Sequence, residues 1–233
     1  MRLGDPTRVD EGALPAADRP DGQNAAAFVH AYLKEQILDL VLEPGTVITE
    51  MDVAKAVRVS RTPIHEALLR LHEERLVELL PRRGALVPWV TARQVRELYE
   101  VRLLLESRAV EVICDEEIPV ANSLMQTCDE QEELDRAGAS PAKLIRVDRK
   151  FHSILIDAAG NTVMGMVNDS LGDHNQRTGV LSFSLDPHRC ERAVAQHREI
   201  AESLAVFDVG GAKEGIERHL VAGGRELERL LRH

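Results

Sequence analysis

The run Val57-Arg58-Val59-Ser60-Arg61-Thr62-Pro63-Ile64-His65-Glu66-Ala67-Leu68-Leu69 decides the fold. Thr62 suits an N-cap, accepting a backbone N–H bond, and Pro63, with fixed φ and no N–H to leave unpaired, suits the first helical position. From there Ile64, Leu68 and Leu71 fall four and three residues apart, which predicts a helix from Pro63 to about Glu74 with one apolar face. Two arginines and two hydroxyls crowd its start. Orphan amides, the positive end of the helix dipole and guanidinium groups together attract phosphate, and this is the end that a recognition helix points into a DNA groove.

The flanks agree with that reading. Upstream, Thr49 is an N-cap with Asp52 three residues on and with Ile48 and Val53 placed as a hydrophobic staple, so a short helix ends near Val57. Two helices joined by a four-residue turn form a helix-turn-helix. Before them, Phe28, Tyr32, Ile37, Leu40 and Val41 give a helical stripe that stops at Glu43-Pro44-Gly45. Downstream, 76–80 and 85–88 read as two short strands around Pro81-Arg82-Arg83-Gly84, a wing with two exposed arginines.

The chain has 233 residues, 44% of them apolar and only 3% aromatic, which favours two domains and helix over sheet. Its net charge of -10 excludes a protein that coats nucleic acid along its whole surface. Between Lys55 and Arg83, however, seven basic residues face four acidic ones, so the acidity lies elsewhere. Cys114, Cys128 and Cys190 are odd in number and widely spaced, which indicates neither a disulfide framework nor a cysteine metal site. No run suits a membrane span or a signal peptide, so the cytoplasm is expected.

Residues 1–24 lack apolar periodicity and are expected to form a flexible tail. Residues 25–90 form the winged helix-turn-helix, and Thr91 caps the first helix of an all-α antiparallel bundle over 91–233. Helices are expected at about 92–115, 119–137, 141–159, 161–181, 188–207 and 211–232, with Gly138, Gly160-Asn161, Asp186-Pro187 and Gly210-Gly211 between them.

Pro44-Gly45, Ile48-Thr49-Glu50, Val59 to Pro63, Glu66-Ala67-Leu68, Leu71 and Arg83-Gly84 closely resemble the winged-helix bacterial transcription regulators of the GntR family, FadR subfamily. Val101 to Glu106, Asp148, His152, Gly160-Asn161, His197 and His219 resemble that family's FCD effector domain, in its VanR-like six-helix, metal-binding form. The resemblance spans roughly 25–230. It implies that Arg61 contacts base edges or phosphate, that Thr62 contacts phosphate and that Gly84 belongs to a wing entering the minor groove, with Ser60, His65 and Arg83 as further DNA contacts. His65 stands where the family usually has a guanine-reading arginine, Met51 where a basic or polar residue often reaches DNA, and Arg58 where a turn glycine is common. A neutral imidazole cannot form arginine's bidentate pair with guanine, so the operator is expected to depart from family consensus.

Asp148 and His152 are four apart on one expected helix and project from one face. His197 and His219 lie on two others among apolar neighbours. A carboxylate with three imidazoles suits Zn, Ni, Mn or Fe, and an ion taking five or six ligands keeps positions open; hydrogen-bonded core histidines are the alternative. The family order of Asp, His, His, His implies a divalent metal, zinc first, and a small organic acid effector. Arg102 is the candidate for the acid's far end, with Arg149, Arg177 and Asn175 as further candidates. The expected protein is a homodimeric, ligand-responsive regulator, a repressor on a near-palindromic double-stranded DNA operator, with no membrane partner and no enzymatic activity. The rivals are a metal-dependent enzyme acting on a small carboxylate and a metal-sensing regulator. Against the enzyme, the sequence shows no nucleophile elbow, glycine-rich phosphate loop or general base beside the cluster.

Overall fold

The computed structural model describes residues 14–231, and the chain divides into two compact units between Val90 and Thr91. The first holds α1 (Ala25–Leu38), β1 (Val47–Ile48), α2 (Glu50–Val57), α3 (Arg61–Glu73), β2 (Glu78–Leu80) and β3 (Gly84–Leu86). The helices bury Val29, Leu33 and Ile37 of α1, Val53 of α2 and Ile64, Leu68 and Leu71 of α3 in one core. Asn24 caps α1 by accepting from the Ala27 amide, and Thr49 caps α2 by accepting from the Asp52 amide. Arg58 closes α2 in the left-handed region at φ 51°, the position where a glycine would carry no steric cost.

Three expectations for this unit change. The helix α3 starts at Arg61 with Ser60 as its N-cap residue, so Thr62 lies within the first turn rather than capping it. Pro63 is tolerated there because the first-turn amides have no intrahelical acceptor. The wing is a three-stranded antiparallel sheet in the order β1-β3-β2, in which Val47 pairs with Leu86 and Ile48 with Ala85. Residues 1–13 of the expected tail lie outside the described residues. Residues 14–24 lie along the winged unit: Leu14 and Ala17 pack on its core, the Ala17 amide donates to the Ala56 carbonyl and the Tyr32 hydroxyl donates to the Pro15 carbonyl.

Gly84 sits at φ 105°, and a Cβ there would stand 2.0 Å from the Ile48 carbonyl oxygen. The wing therefore closes on β1 only through a residue without a side chain. Gly84→Ala is expected to cost about 1–3 kcal/mol from backbone strain and displacement of β1. Chemical denaturation measures this, and an unchanged midpoint would contradict it.

The second unit comprises α4 (Ala92–Asp115), α5 (Ala121–Arg136), α6 (Pro141–Ala158), α7 (Thr162–Ser170), α8 (Gly172–Leu185), α9 (Arg189–Ala205) and α10 (Val209–Leu230). It is a helical bundle in which α10 lies against α4 and α9, α5 against α9 and α6, and α6 against α8 and α4. Thr91 and Gln94 form a full capping box at the start of α4. Among the described residues of this unit seven helices stand where six were expected, because the segment expected as 161–181 breaks at Leu171. The Ser170 hydroxyl donates back to the Val167 carbonyl, a local bond that competes with the helix ladder. Gly172 then leaves room for the Arg149 guanidinium, whose Nη2 would lie 2.7 Å from an added Cβ.

No helix among the described residues is long and apolar enough to cross a membrane. All three cysteines are buried, and burial pushes Cys128 up to about 11 and Cys190 up to about 12, so both remain thiols.

Candidate functional site

In the winged unit, the start of α3 and the wing turn share one concave face lined by Met51, Arg61, His65, Arg82, Arg83 and Gly84. Ser60, Arg61, Thr62 and His65 are exposed, as are Arg82 and Arg83, and Ser60 makes no side-chain cap bond. The hydrogen-bonding groups at the head of α3 thus face outward beside three guanidinium groups. Glu50 joins the same face unforeseen: its Oε1 lies 3.2 Å from His65 Nδ1. A neutral His65 that donates Nδ1–H to Glu50 presents Nε2 outward as an acceptor, the opposite of what arginine offers a base.

In the second unit, Asp148 and His152 of α6, His197 of α9 and His219 of α10 are all buried and brought together. The three histidines offer ligand atoms within 4.8 Å of one another. Asp148 Oδ2 lies 3.7 Å from His152 Nε2, and Asp148 Oδ1 lies 3.8 Å from His197 Nε2. His197 Nε2 and His219 Nε2 approach to 3.3 Å. His197 is stacked on Phe151 at 4.0 Å between ring centroids, which fixes its plane.

Two side chains behind the histidines fix which nitrogen faces inward. His152 Nδ1 donates to Glu106 Oε2 at 2.7 Å, and His219 Nδ1 donates to Gln196 Oε1 at 2.9 Å. Each bond leaves the Nε2 lone pair pointing into the cluster, the arrangement that supports a metal-ligating imidazole. Glu106 is itself held by Arg102, whose Nε donates to its Oε1 at 3.0 Å. His152 Nε2 is buried and has no hydrogen-bond partner. A buried nitrogen left without a partner, facing a carboxylate and two further imidazoles, has the donor set of a divalent cation.

The electrostatics favour neutral imidazoles at His197 and His219 and a charged carboxylate at Asp148. Burial pushes His197 down to about 3 and His219 well below the ordinary imidazole value. Burial pulls Asp148 upward, but His197, His152 and Arg102 outweigh it and hold the carboxyl below its usual range. Glu106 is likewise raised by burial and lowered further by His152 and Arg102. Because the unfolded chain protonates His197 near 6.5 and the folded one only near 3, protons favour unfolding across that interval. The metal-free protein should therefore melt at progressively lower temperature as pH falls below about 6.5. A shallower pH dependence in His197→Gln is the expected control; an identical one would contradict the assignment.

A cavity beside the cluster is lined by Asp148, His152 and His219 together with Arg102, Arg149 and Asn175. Asn175 Oδ1 is buried there without a partner. Arg149 Nη1 donates to Gln176 Oε1 at 3.3 Å, and burial lowers its pKa. Arg177 is buried, and burial lowers it to about 10, but it is not among the residues that line this cavity. Two residues after Asn175 on α8, it falls on a different face of the helix. Sequence reasoning missed the contacts of Glu106 and Gln196. For Glu106 a signal existed, since Arg102 and Glu106 form an i,i+4 pair among apolar neighbours.

A winged helix-turn-helix with a basic concave face, followed by an all-helical bundle, defines a DNA-binding regulator. Residues 25–87 match the bacterial regulatory proteins of the gntR family and residues 97–222 match the FCD domain. The chain belongs to the GntR family of transcription regulators and carries an FCD domain; it is not an enzyme. It is 30% identical over 200 residues to an uncharacterized HTH-type transcriptional regulator, YdhC, of Bacillus subtilis, covering 85% of this chain and 89% of that one. It is 26% identical over 200 residues to the HTH-type transcriptional repressor RspR of Escherichia coli, covering 82% and 84%. A GntR protein structure from Rhodococcus sp. RHA1 shares the fold, with a TM-score of 0.72 at 23% identity over 87% of this chain and 96% of that one.

Proposed function

We propose that the protein is a homodimeric, cytoplasmic repressor that binds a near-palindromic operator and responds to a small organic acid at a divalent metal. The observation that carries this is the buried, unpartnered His152 Nε2 facing Asp148, beside a cavity that contains arginines. Asp148, His152, His197 and His219 would hold the ion. Zinc suits the nitrogen-rich set, and Ni, Mn or Fe would keep one or two positions free for a carboxylate. Arg102, Arg149 and Asn175 would orient the acid. The name of RspR as a repressor supports the sign of regulation.

On DNA, Arg61 and Arg83 would contact phosphate or base edges, Ser60 and Thr62 the phosphates at the head of α3, and Gly84 would let the wing enter the minor groove. His65, oriented by Glu50, would accept from an adenine or cytosine amino group rather than donate to guanine. Two half-sites one helical turn apart favour a dimer, because one helix in one groove is a small interface. A metal-sensing regulator is the competing reading.

Thermal unfolding in a panel of organic acids, with and without chelator, separates these readings. The organic-acid reading expects at least one acid to raise the melting temperature only when metal is present. Metal that stabilises the protein while no acid adds to the shift would instead favour metal as the signal.

A further inference from the structure

Arg189, at the start of α9, lines the same cavity as Arg102 and Arg149, yet it differs from both in having no hydrogen-bond partner in contact; the carboxylate that feels its charge is Asp148, which also faces the histidines. Arg102 is paired with Glu106. Arg149 bonds Gln176 and feels the charges of Asp173 and Asp169. Arg189 is 5% exposed, its Nε is buried without a hydrogen-bond partner, and no carboxylate among the described residues lies in ion-pair range of it. Its guanidinium stands 5.9 Å from the centroid of the Phe183 ring, a contact far weaker than the hydration it has given up.

A buried guanidinium without a partner costs several kcal/mol unless an anion meets it. The fold nonetheless makes room for it: a Cβ on Gly223 would stand 2.7 Å from Arg189 Nη2, so α10 carries a glycine where the guanidinium passes. Charge bookkeeping in the cavity points the same way. Asp148 is one carboxylate facing the three histidines, and a divalent ion there would leave one positive charge uncompensated. Arg189 adds a second.

Resting on the organic-acid reading above, we infer that the effector is a small dicarboxylate, and that Arg189 receives the carboxylate distal to the Asp148, His152, His197 and His219 cluster. Charge-assisted bonds to a desolvated guanidinium then discriminate against acids with a single carboxylate. Loss of the second carboxylate leaves the arginine buried and unpaired, so the penalty exceeds the value of one ordinary hydrogen bond.

The test uses the metal-loaded full-length protein, with succinate and butyrate as matched four-carbon probes. Calorimetry is expected to show succinate binding on the order of ten-fold or more tighter than butyrate, the scale of one charge-assisted bond. In Arg189→Gln the ratio should fall to about one, while the metal content measured by elemental analysis stays at the wild-type level. Arg189→Lys keeps the charge but loses the planar fork, and should retain an intermediate ratio; it decides the matter if the glutamine variant does not fold. Equal binding of the two acids by the wild type, or a wild-type ratio in either variant, would overturn the assignment. If neither acid binds the metal-loaded protein, the organic-acid reading itself falls and the dicarboxylate assignment falls with it. If no metal binds at all, the error lies earlier, in the ligand set.

Discussion

Arg61→Glu is expected to abolish specific operator binding while leaving the fold intact. Arg61 is the first residue of α3, is exposed, and is joined by no ion pair to another described residue. Removing a guanidinium that meets base edges or phosphate costs about 1–3 kcal/mol. Placing a carboxylate there adds repulsion from the DNA backbone, and a dimer carries the change twice. The loss should exceed about 3 kcal/mol, more than a hundred-fold in affinity. Stability should move little or slightly upward, because an acidic residue in the first turn complements the helix dipole. Fluorescence anisotropy on operator DNA, paired with thermal unfolding, measures both. A variant that binds within ten-fold of wild type would show that α3 does not enter the groove by its N-terminal end.

His197→Ala is expected to remove the metal. The side chain is fully buried and its Nε2 faces both Asp148 Oδ1 and His219 Nε2, so no other group can take its place without moving a helix. Loss of a direct ligand should exceed the roughly 10–100-fold that supporting residues contribute to metal affinity. The expected weakening is therefore more than about a hundred-fold, read by competition with a chromogenic chelator. The variant should also lose any acid-induced thermal shift while it still binds operator DNA, because the winged unit has a core of its own. Retention of stoichiometric metal in His197→Ala would remove that residue from the ligand set.

How much of this was legible in the chain follows from the range over which each signal acts. The caps Thr49 and Thr91, the apolar spacing of Ile64, Leu68 and Leu71, and the i,i+4 pair Asp148 and His152 are all local, and each is visible in a dozen residues. The strand β1 is two residues long and exists only because Gly84 lets β3 approach it, so its own sequence carries no strand signal. The start of α3 was displaced because Thr62-Pro63 is a strong start signal by itself, whereas Ser60 and Arg61 already have the backbone shape the turn imposes. Leu14 and Ala17 are too sparse to show periodicity, and only the groove they meet makes them structural.

In the bundle, the supporting contacts cross between helices and leave no trace in spacing. Glu106 reaches His152 over 46 residues and Gln196 reaches His219 over 23. Arg189 was invisible for the same reason. An arginine beside Cys190 and Glu191 reads as a solvated charge until the bundle closes over it. For Arg177 and Asn175, two residues apart, the sequence likewise does not show which helix face points to the cavity that Asn175 lines.

The central claim is that occupancy of the cavity in the FCD domain changes how tightly the winged helices hold DNA. The direct measurement is operator affinity of the metal-loaded protein by anisotropy, with and without a saturating concentration of the carboxylate that gives the largest thermal shift. A ligand that binds one domain arrangement better than another must alter DNA affinity by the same factor that DNA alters its own. The expected result is a weakening of at least about five-fold, the lower end of typical coupling between sites. Operator affinity that is unchanged at saturating ligand would contradict the account.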